Sequence, residues 1–422
     1  MNDSLVMLRM GFARMADAAA TIGCIWLGWQ VMFGSSQPFE VEALWVGVVA
    51  AVACVVDPQA RRSFPVGLVG YALAGVVSSL VHNWARANLD GGFEWQVVLG
   101  PVDYLLYMLV FVFGAAYVLR TPARQAWFVT AMAIAILVIA AQLLFDRAST
   151  NFVYNRTGRV SIPSVSQWSG LHQVGLVFAV GLPMCLTIAI RGGTVIRALS
   201  GGALAAFLLM AAWFNGSRSG ILVTATIAVA MLATRLPRLR LTRQRAIAAG
   251  VAIAIVGAAA IWSPWPVSAR LLDRAPIWRA AGQMFLDHPW TGVGPRQYTN
   301  TMLAGGYGAR FLPWFEASHG GTENAHSLPL QVAAETGIVG LVSLAWFAVW
   351  AWRASARSVA RNYEPVIAAA VGFAVMAFFA RSLFDNFFAL DFETDRIKPL
   401  PWSLFAAAVA VHRWTPKREA AQ

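Results

Sequence analysis

The stretch LPLQVAAETGIVGLVSLAWFAVWA, residues 328–351, decides the class of this protein. Glu335 is its one charged residue, and the run exceeds the about 20 mostly apolar residues that a helix needs to cross a bilayer. The composition agrees, because 58% of the 422 residues are hydrophobic and only 12% are charged. We therefore expect an all-α integral membrane protein.

Eleven further apolar runs accompany this one and predict about 12 transmembrane helices in total. The predicted helices cover residues 14–33, 43–56, 65–82, 97–119, 126–145, 170–190, 198–214, 220–234, 246–262, 328–351, 363–385 and 399–412. No soluble domain, low-complexity tract or fixed-period repeat is visible. Residues 1–422 are therefore interpreted as a single polytopic membrane domain.

The basic residues predict the orientation, because Lys and Arg collect in the cytoplasmic loops of membrane proteins. With both termini in the cytoplasm, the short loops on the inner side are basic, as at residues 235–245. The longest connection, residues 263–327, then lies on the outer side between helices nine and ten. We expect the functional face of the protein to be this outer face.

The net charge of +12 is explained by this orientation signal, and no RNA- or DNA-binding module accompanies it. Cys24, Cys54 and Cys185 fall within predicted spans at unrelated depths. Neither a disulfide framework nor a metal cluster is therefore predicted.

The outer loop contains a predicted amphipathic helix. Asp273 can cap it and Pro276 would stand in its first turn. Arg274 and Arg279 would flank an apolar stripe and face phosphates, while Trp278 anchors the helix at the membrane surface. The apolar residues that recur at helical spacing are Ile277, Ala281, Met284 and Phe285.

Arg218 lies in NGSRSG, residues 215–220, a short polar interruption between two apolar runs. Amide groups at a helix start bind anions, and the guanidinium fork suits phosphate. A pyrophosphate clamp is therefore one interpretation. A tight helical hairpin whose Arg reaches the lipid headgroups is the other, and the spacing alone favours neither.

His326 directly precedes the apolar run 328–351, at a helix start, and is a candidate general base. The alternatives are an ordinary loop histidine or a metal ligand together with His288 and His319. The spacing of these three histidines matches no standard zinc pattern, so no metal site is predicted.

Together these segments resemble the O-antigen ligase and polymerase superfamily of bacterial inner membranes. The resemblance is carried by an ordered set of short motifs and by the large outer loop between helices nine and ten. The motifs are SRSG at 217–220, Arg274, Trp278, DHPWTGVG at 287–294, NAH at 324–326 and ETG at 335–337.

The resemblance implies a glycosyltransferase of the inner membrane that acts at its periplasmic face without cofactor or metal. Size and loop layout are most similar to the O-antigen ligase branch, which transfers O-polysaccharide from undecaprenyl pyrophosphate to a sugar hydroxyl of the lipid A core. By this resemblance His326 would be the base, and Arg218 and Arg274 would bind the pyrophosphate. Further candidates for that role are Arg156, Arg159 and Arg381.

Three alternatives stay open at this point. An O-antigen polymerase, or a protein O-oligosaccharyltransferase, would use the same donor with another acceptor. A transporter for a lipid-linked anion belongs to a different class, and its ionisable residues should lie near the membrane midplane. Here most candidates lie at the outer rim, which favours an enzyme.

Overall fold

The fold was analysed in a computed structural model of the chain. The structure describes residues 69–70, 73–82, 112, 114–149, 171–191, 195–215, 220, 222–224, 226–227, 267–295, 297–311, 324–361, 365–383 and 399–414. All regular secondary structure within these ranges is helical, which confirms the all-α part of the predicted fold class. The predicted spans 14–33, 43–56 and 246–262 lie outside the described residues.

The main helices are numbered here in chain order. They are α1 (Leu73–His82), α2 (Pro122–Ser149), α3 (Leu171–Arg191), α4 (Val195–Asn215), α5 (Val267–Asp287), α6 (Tyr298–Ala304), α7 (Tyr307–Phe311), α8 (Leu328–Arg361), α9 (Pro365–Ser382) and α10 (Pro399–Trp414).

Proline marks the start of several of these helices. Pro122, Pro365 and Pro399 are the first residues of α2, α9 and α10, where the missing N–H would have had no helical partner. Pro329 stands in the first turn of α8, where a proline is tolerated. The predicted spans 126–145, 170–190, 198–214, 328–351, 363–385 and 399–412 each coincide with one of the long helices.

Helices α3, α4, α8 and α9 form the centre of the bundle, with α3 packed against both α4 and α9, and α9 against α8. Aromatic side chains fill the region between α8, α9 and α10. The ring of Phe405 meets those of Phe347 and Phe378 edge to face, with centroids 4.8 and 5.3 Å apart. Such contacts add to the stabilisation from burial.

Two of the described helices are long and apolar enough to cross a membrane, over Pro122–Phe145 and Leu328–Ala351. Five other described helices are apolar but shorter, namely Leu73–His82, Gly175–Thr187, Leu199–Ala212, Ile367–Ser382 and Ser403–His412. The count of 12 spans stays a prediction.

The helix in the outer loop differs from its prediction in two ways. It begins at Val267, so Asp273 lies inside α5 instead of capping it, and Pro276 is an interior residue. Its apolar stripe does not lie against the membrane surface, because Ile277, Ala281 and Met284 are buried in a cluster with residues of α6 and α8. The periodicity correctly indicated a buried face but could not identify what covers it.

Candidate functional site

His326 lies in a short loop, residues 324–327, that enters α8. Its φ of 46° is in the left-handed region, and no other described residue except glycine has a positive φ. The side-chain oxygen of Asn324 accepts a hydrogen bond from the His326 N–H at 2.9 Å, which stabilises this turn. Left-handed histidine is uncommon, and such conformations concentrate at functional sites.

A buried pair of polar side chains on α8 holds the same loop. The Gln331 side-chain oxygen accepts a hydrogen bond from the Ala325 N–H at 2.7 Å. The Gln331 amide then donates to a carboxylate oxygen of Glu335 at 2.8 Å. Gln331 and Glu335 are only 1% and 4% exposed, so water competes little for these bonds. We refer to residues 324–327 as the His loop.

The turn at residues 288–294 is locked onto the kink of α8 by backbone contacts. The N–H groups of Val293 and Gly294 donate to the carbonyls of Ala334 and Glu335, at 2.7 and 3.0 Å. In return, Ile338 donates to the Pro289 carbonyl at 2.8 Å. These bonds replace the helical hydrogen bonds that the kink interrupts.

Two glycines make this close approach possible. Gly292 and Gly337 have φ values of 68° and 65°, and Gly337 breaks the helical geometry of α8. A Cβ at Gly292 would lie 2.3 Å from the carbonyl carbon of Glu335, and one at Gly337 would lie 2.4 Å from the Trp290 backbone. The GVG and ETG motifs are therefore explained by backbone packing, and we name these contacts the glycine lock.

Helix α1 joins both parts of the site through Ser78. Its hydroxyl lies within hydrogen-bonding distance of the carbonyl oxygens of Thr291 and Glu335. Nothing in the sequence around Ser78 pointed to this contact, because a serine in an apolar run has no distinctive spacing. For Gln331 there was a signal, since Gln331 and Glu335 stand four residues apart on one face of an apolar helix.

Arg274 belongs to α5 and is half-buried. Ile277, one turn further along α5, packs in the same buried cluster as Ala325 of the His loop. The structure therefore brings the helix that carries Arg274 against the loop that carries His326. Arg279, the other predicted flanking residue, is exposed.

Arg381 lies in the last turn of α9 and is completely buried. Its neighbours Ala380 and Ser382 line an apolar cavity of about 270 Å³ between α8 and α9. Leu328 and Pro329, which directly follow the His loop, line the same cavity. The residues on either side of Arg381 and those directly after the His loop therefore line one cavity.

Arg156, Arg159 and Arg218 lie outside the described residues. The helical turn that follows Arg218 is described in part, since the Thr224 hydroxyl donates to the Gly220 carbonyl. Val223 and Ile227 pack in one cluster with Ala377, which is one turn before Arg381 on α9. The chain beyond Arg218 is thereby attached to the helix that carries Arg381.

A second hydrogen-bonded carboxylate lies on the exposed side of α5. Asp287 accepts hydrogen bonds from the Tyr307 hydroxyl at 2.7 Å and from the Gln283 amide at 2.9 Å. The bond from Tyr307, followed by that from Gln283, lowers the pKa of Asp287 below its usual value. Burial, with a further contribution from Asp287, raises the pKa of Tyr307 to about 12.

Among the residues that the structure describes, no group of three His, Cys, Asp or Glu side chains could hold a metal ion. The carboxylate beneath the His loop instead receives an amide hydrogen bond. The arrangement presents one half-exposed imidazole beside helices that carry Arg, which suits proton transfer next to an anionic group.

Part of the chain is similar to a known protein family. No curated protein gave a match to the chain. Residues 203–345 match a family model described as O-Antigen ligase. This range contains Arg218, Arg274, the glycine lock and the His loop, whereas Arg156, Arg159 and Arg381 lie outside it. The match covers about a third of the chain and supports a resemblance to the O-antigen ligase and polymerase superfamily, whose members are membrane-associated, glycosyltransferase-like enzymes that use lipid-linked polysaccharides.

Proposed function

We propose that this protein is an O-antigen ligase that transfers O-polysaccharide from undecaprenyl pyrophosphate to a sugar hydroxyl of the lipid A core. The observation that carries the proposal is the His loop. His326 is held in a left-handed conformation by Asn324, in a loop packed against α5, the helix that carries Arg274. Strain of this kind is retained where the surrounding structure fixes a functional side chain.

In the proposed reaction, an imidazole nitrogen of His326 takes the proton from the acceptor hydroxyl. The hydroxyl oxygen attacks the anomeric carbon of the donor sugar, and a new C–O bond forms with inversion. The bond between that carbon and the pyrophosphate oxygen breaks, and undecaprenyl pyrophosphate leaves with the electron pair. The proton on His326 then passes to water.

Arg residues would stabilise the negative charge that develops on the leaving pyrophosphate. Fixed cationic donors act most strongly on charge that appears in the transition state. Arg274 and Arg218 are proposed for this role, with Arg381, Arg156 and Arg159 as further members. The burial of Arg381 beside an apolar cavity supports a site where an anionic headgroup meets a lipid chain.

The part of the donor's polyprenyl chain next to the pyrophosphate would then occupy the cavity between α8 and α9. Leu328 and Pro329, next to the His loop, line this cavity together with Leu344 and Ala348 of α8. Helix α8 is long and apolar enough over Leu328–Ala351 to cross a membrane. We accordingly propose a location in the bacterial inner membrane, with the active site at the periplasmic face.

The test is transfer by the purified full-length protein in detergent, with a lipid-linked glycan donor, a rough lipopolysaccharide acceptor and a chelator. Wild type should glycosylate the acceptor. His326→Ala and His326→Asn should lose about 10²- to 10⁴-fold in rate, the usual contribution of a general base. Asn tolerates the left-handed conformation, so His326→Asn separates loss of the base from strain in the loop.

His288→Ala is the matched control, since it removes an exposed histidine from the same part of the chain. It should transfer at the wild-type rate. Elongation of the lipid-linked glycan without acceptor glycosylation would establish a polymerase instead. Consumption of donor onto a protein acceptor would establish an oligosaccharyltransferase. Full activity of both His326 variants would refute the base assignment.

A further inference from the structure

Gln331 and Glu335 are polar residues inside the apolar run that begins α8, and their burial is not explained by packing alone. Burying polar groups is unfavourable unless they are hydrogen bonded, and two apolar side chains of similar shape would stabilise a helix equally well. One of their hydrogen bonds stays within α8, between Gln331 and Glu335, and the other leads out of the helix, from Gln331 to the Ala325 N–H of the His loop. This direction suggests that the pair serves the loop.

Hydrogen bonds fix the two peptide groups that precede His326. Gln331 accepts the Ala325 N–H at 2.7 Å, and Asn324 accepts the next N–H, that of His326, at 2.9 Å. Ala325 is completely buried in the cluster shared with α5. The two bonds constrain the backbone on the N-terminal side of His326, and the backbone sets where the imidazole can lie.

Glu335 decides which way the Gln331 amide points. A Glu335 carboxyl oxygen accepts a hydrogen bond at this position, and only the NH₂ end of the Gln331 amide can donate one. The side-chain oxygen of Gln331 therefore points towards the Ala325 N–H, which donates a hydrogen bond to it. The Glu335 backbone is itself held, because its carbonyl accepts hydrogen bonds from Gly294 N–H and the Ser78 hydroxyl. The glycine lock is therefore connected to the His loop through Glu335 and Gln331.

We propose that Gln331, oriented by Glu335, is a positioning residue for His326 and acts by holding the His loop in its left-handed turn. The inference rests on the proposed function, since positioning matters only if His326 takes the acceptor proton. Neither side chain needs to touch substrate. A displacement of about 1 Å in a reacting group can reduce a rate about 100-fold, so loss of the anchor should appear in the chemical step.

The experiment compares Gln331→Met, Glu335→Met and Glu335→Gln with wild type in the transfer assay. Met has a similar length but forms neither bond, so Gln331→Met should reduce kcat about 10- to 100-fold with little change in the KM of donor or acceptor. The kcat of Glu335→Met should lie between those of wild type and Gln331→Met, because the Gln331 amide is still present but is no longer oriented. Glu335→Gln should recover nearly full activity, because its amide oxygen can still accept the bond.

Gln283→Met is the matched control. It removes another hydrogen bond from Gln to a carboxylate four residues later, of 2.9 Å, but on the exposed face of α5. It should leave kcat unchanged. Hydrogen exchange of residues 324–327, read by mass spectrometry, gives a second readout that needs no substrate. Exchange at this loop should accelerate in Gln331→Met and not in Gln283→Met.

Wild-type kcat in Gln331→Met, or a loss confined to KM, would overturn the inference while leaving the proposed function intact. Unchanged exchange at residues 324–327 would overturn it as well. If wild type itself transfers no glycan, the proposed function has failed. The exchange data then decide alone whether Gln331 holds the loop.

Discussion

The glycine lock and the His loop both form hydrogen bonds with α8, and they are built in opposite ways. The lock consists of backbone against backbone, with no room for a Cβ at Gly292 or Gly337. The His loop is held by side chains, those of Asn324 and Gln331. Motif residues of the matched range therefore differ in what holds them. The glycines of the lock fix backbone against backbone, whereas the His loop carries His326, the proposed base.

This difference predicts that effects on stability and effects on the transfer rate can be separated by mutation. Variants in the lock should change stability first and activity only as a consequence. Variants in the His loop should change the rate of transfer and leave the folded state nearly unaffected. Thermal unfolding and transfer kinetics, measured on the same preparations, distinguish the two classes.

The largest effect on stability is expected for Gly292→Ala. A left-handed Ala costs about 1–2 kcal/mol, and overpacking costs typically about 1–3 kcal/mol more. The new Cβ would overlap the backbone of Glu335 and Thr336, which cannot move away without opening α8. We expect a destabilisation of about 2–5 kcal/mol and a markedly lower unfolding temperature.

Gly282→Ala on α5 is the control for this substitution, because a Cβ there meets no atom within 4 Å. Alanine is the better helix former, so this variant should be as stable as wild type or slightly more so. Equal unfolding temperatures for the Gly282 and Gly292 variants would show that the lock does not exist.

A smaller effect, confined to the rate, is expected for Asn324→Ala. The substitution removes the hydrogen bond to the His326 N–H, and such bonds contribute about 0.5–1.5 kcal/mol. If that energy holds the imidazole in its reactive position, kcat should fall about 3- to 10-fold. The unfolding temperature should barely change.

Asn300→Ala provides the comparison, because Asn300 also makes a single amide hydrogen bond, to Gln297, but at an exposed position on α6. It should be neutral in both assays. A loss of stability in Asn324→Ala as large as that in Gly292→Ala would mean that the His loop belongs to the scaffold.

The sequence predicted the helical class of the fold better than the surroundings of the candidate residues. Apolar runs predict helices because burial follows hydrophobicity, and the long described helices coincide with them. Periodicity also marked the buried stripe of α5. It could not show that the stripe packs against protein, since a membrane surface and a protein surface select the same residues.

Contacts between distant segments were beyond sequence reasoning. The bond from Ala325 to Gln331 depends on the left-handed turn at His326, and a histidine carries no signal for such a φ. The contact of Ser78 with Glu335 joins residues 257 positions apart in the chain. For Arg156, Arg159 and Arg218, the assignment still rests on the motifs alone.

The smallest effect is expected for Tyr307→Phe, which removes a hydrogen bond on the exposed side of α5, next to the glycine lock. Asp287 precedes His288, the first residue of the locked turn, and accepts the Tyr307 hydroxyl at 2.7 Å. Because Asp287 is fully exposed, water replaces the lost bond readily. Transfer should proceed at the wild-type rate, with only a slight decrease in unfolding temperature.

The pH dependence of that decrease identifies its source. The pKa of Asp287 is lowered in the folded protein, so its contribution is present above the ordinary value of 3.8 and is lost as the pH falls through the lower, folded value. The pKa of Tyr307 is raised from 10.0 to about 12, so its contribution is present below 10 and is lost as the pH rises towards 12. The difference in unfolding temperature between wild type and Tyr307→Phe should therefore be constant between pH 3.8 and pH 10.0. It should become smaller below pH 3.8 and above pH 10.0. If the difference in unfolding temperature instead increases at acidic pH, another pair of groups causes it. The hydrogen bond between Tyr307 and Asp287 would then contribute nothing to stability.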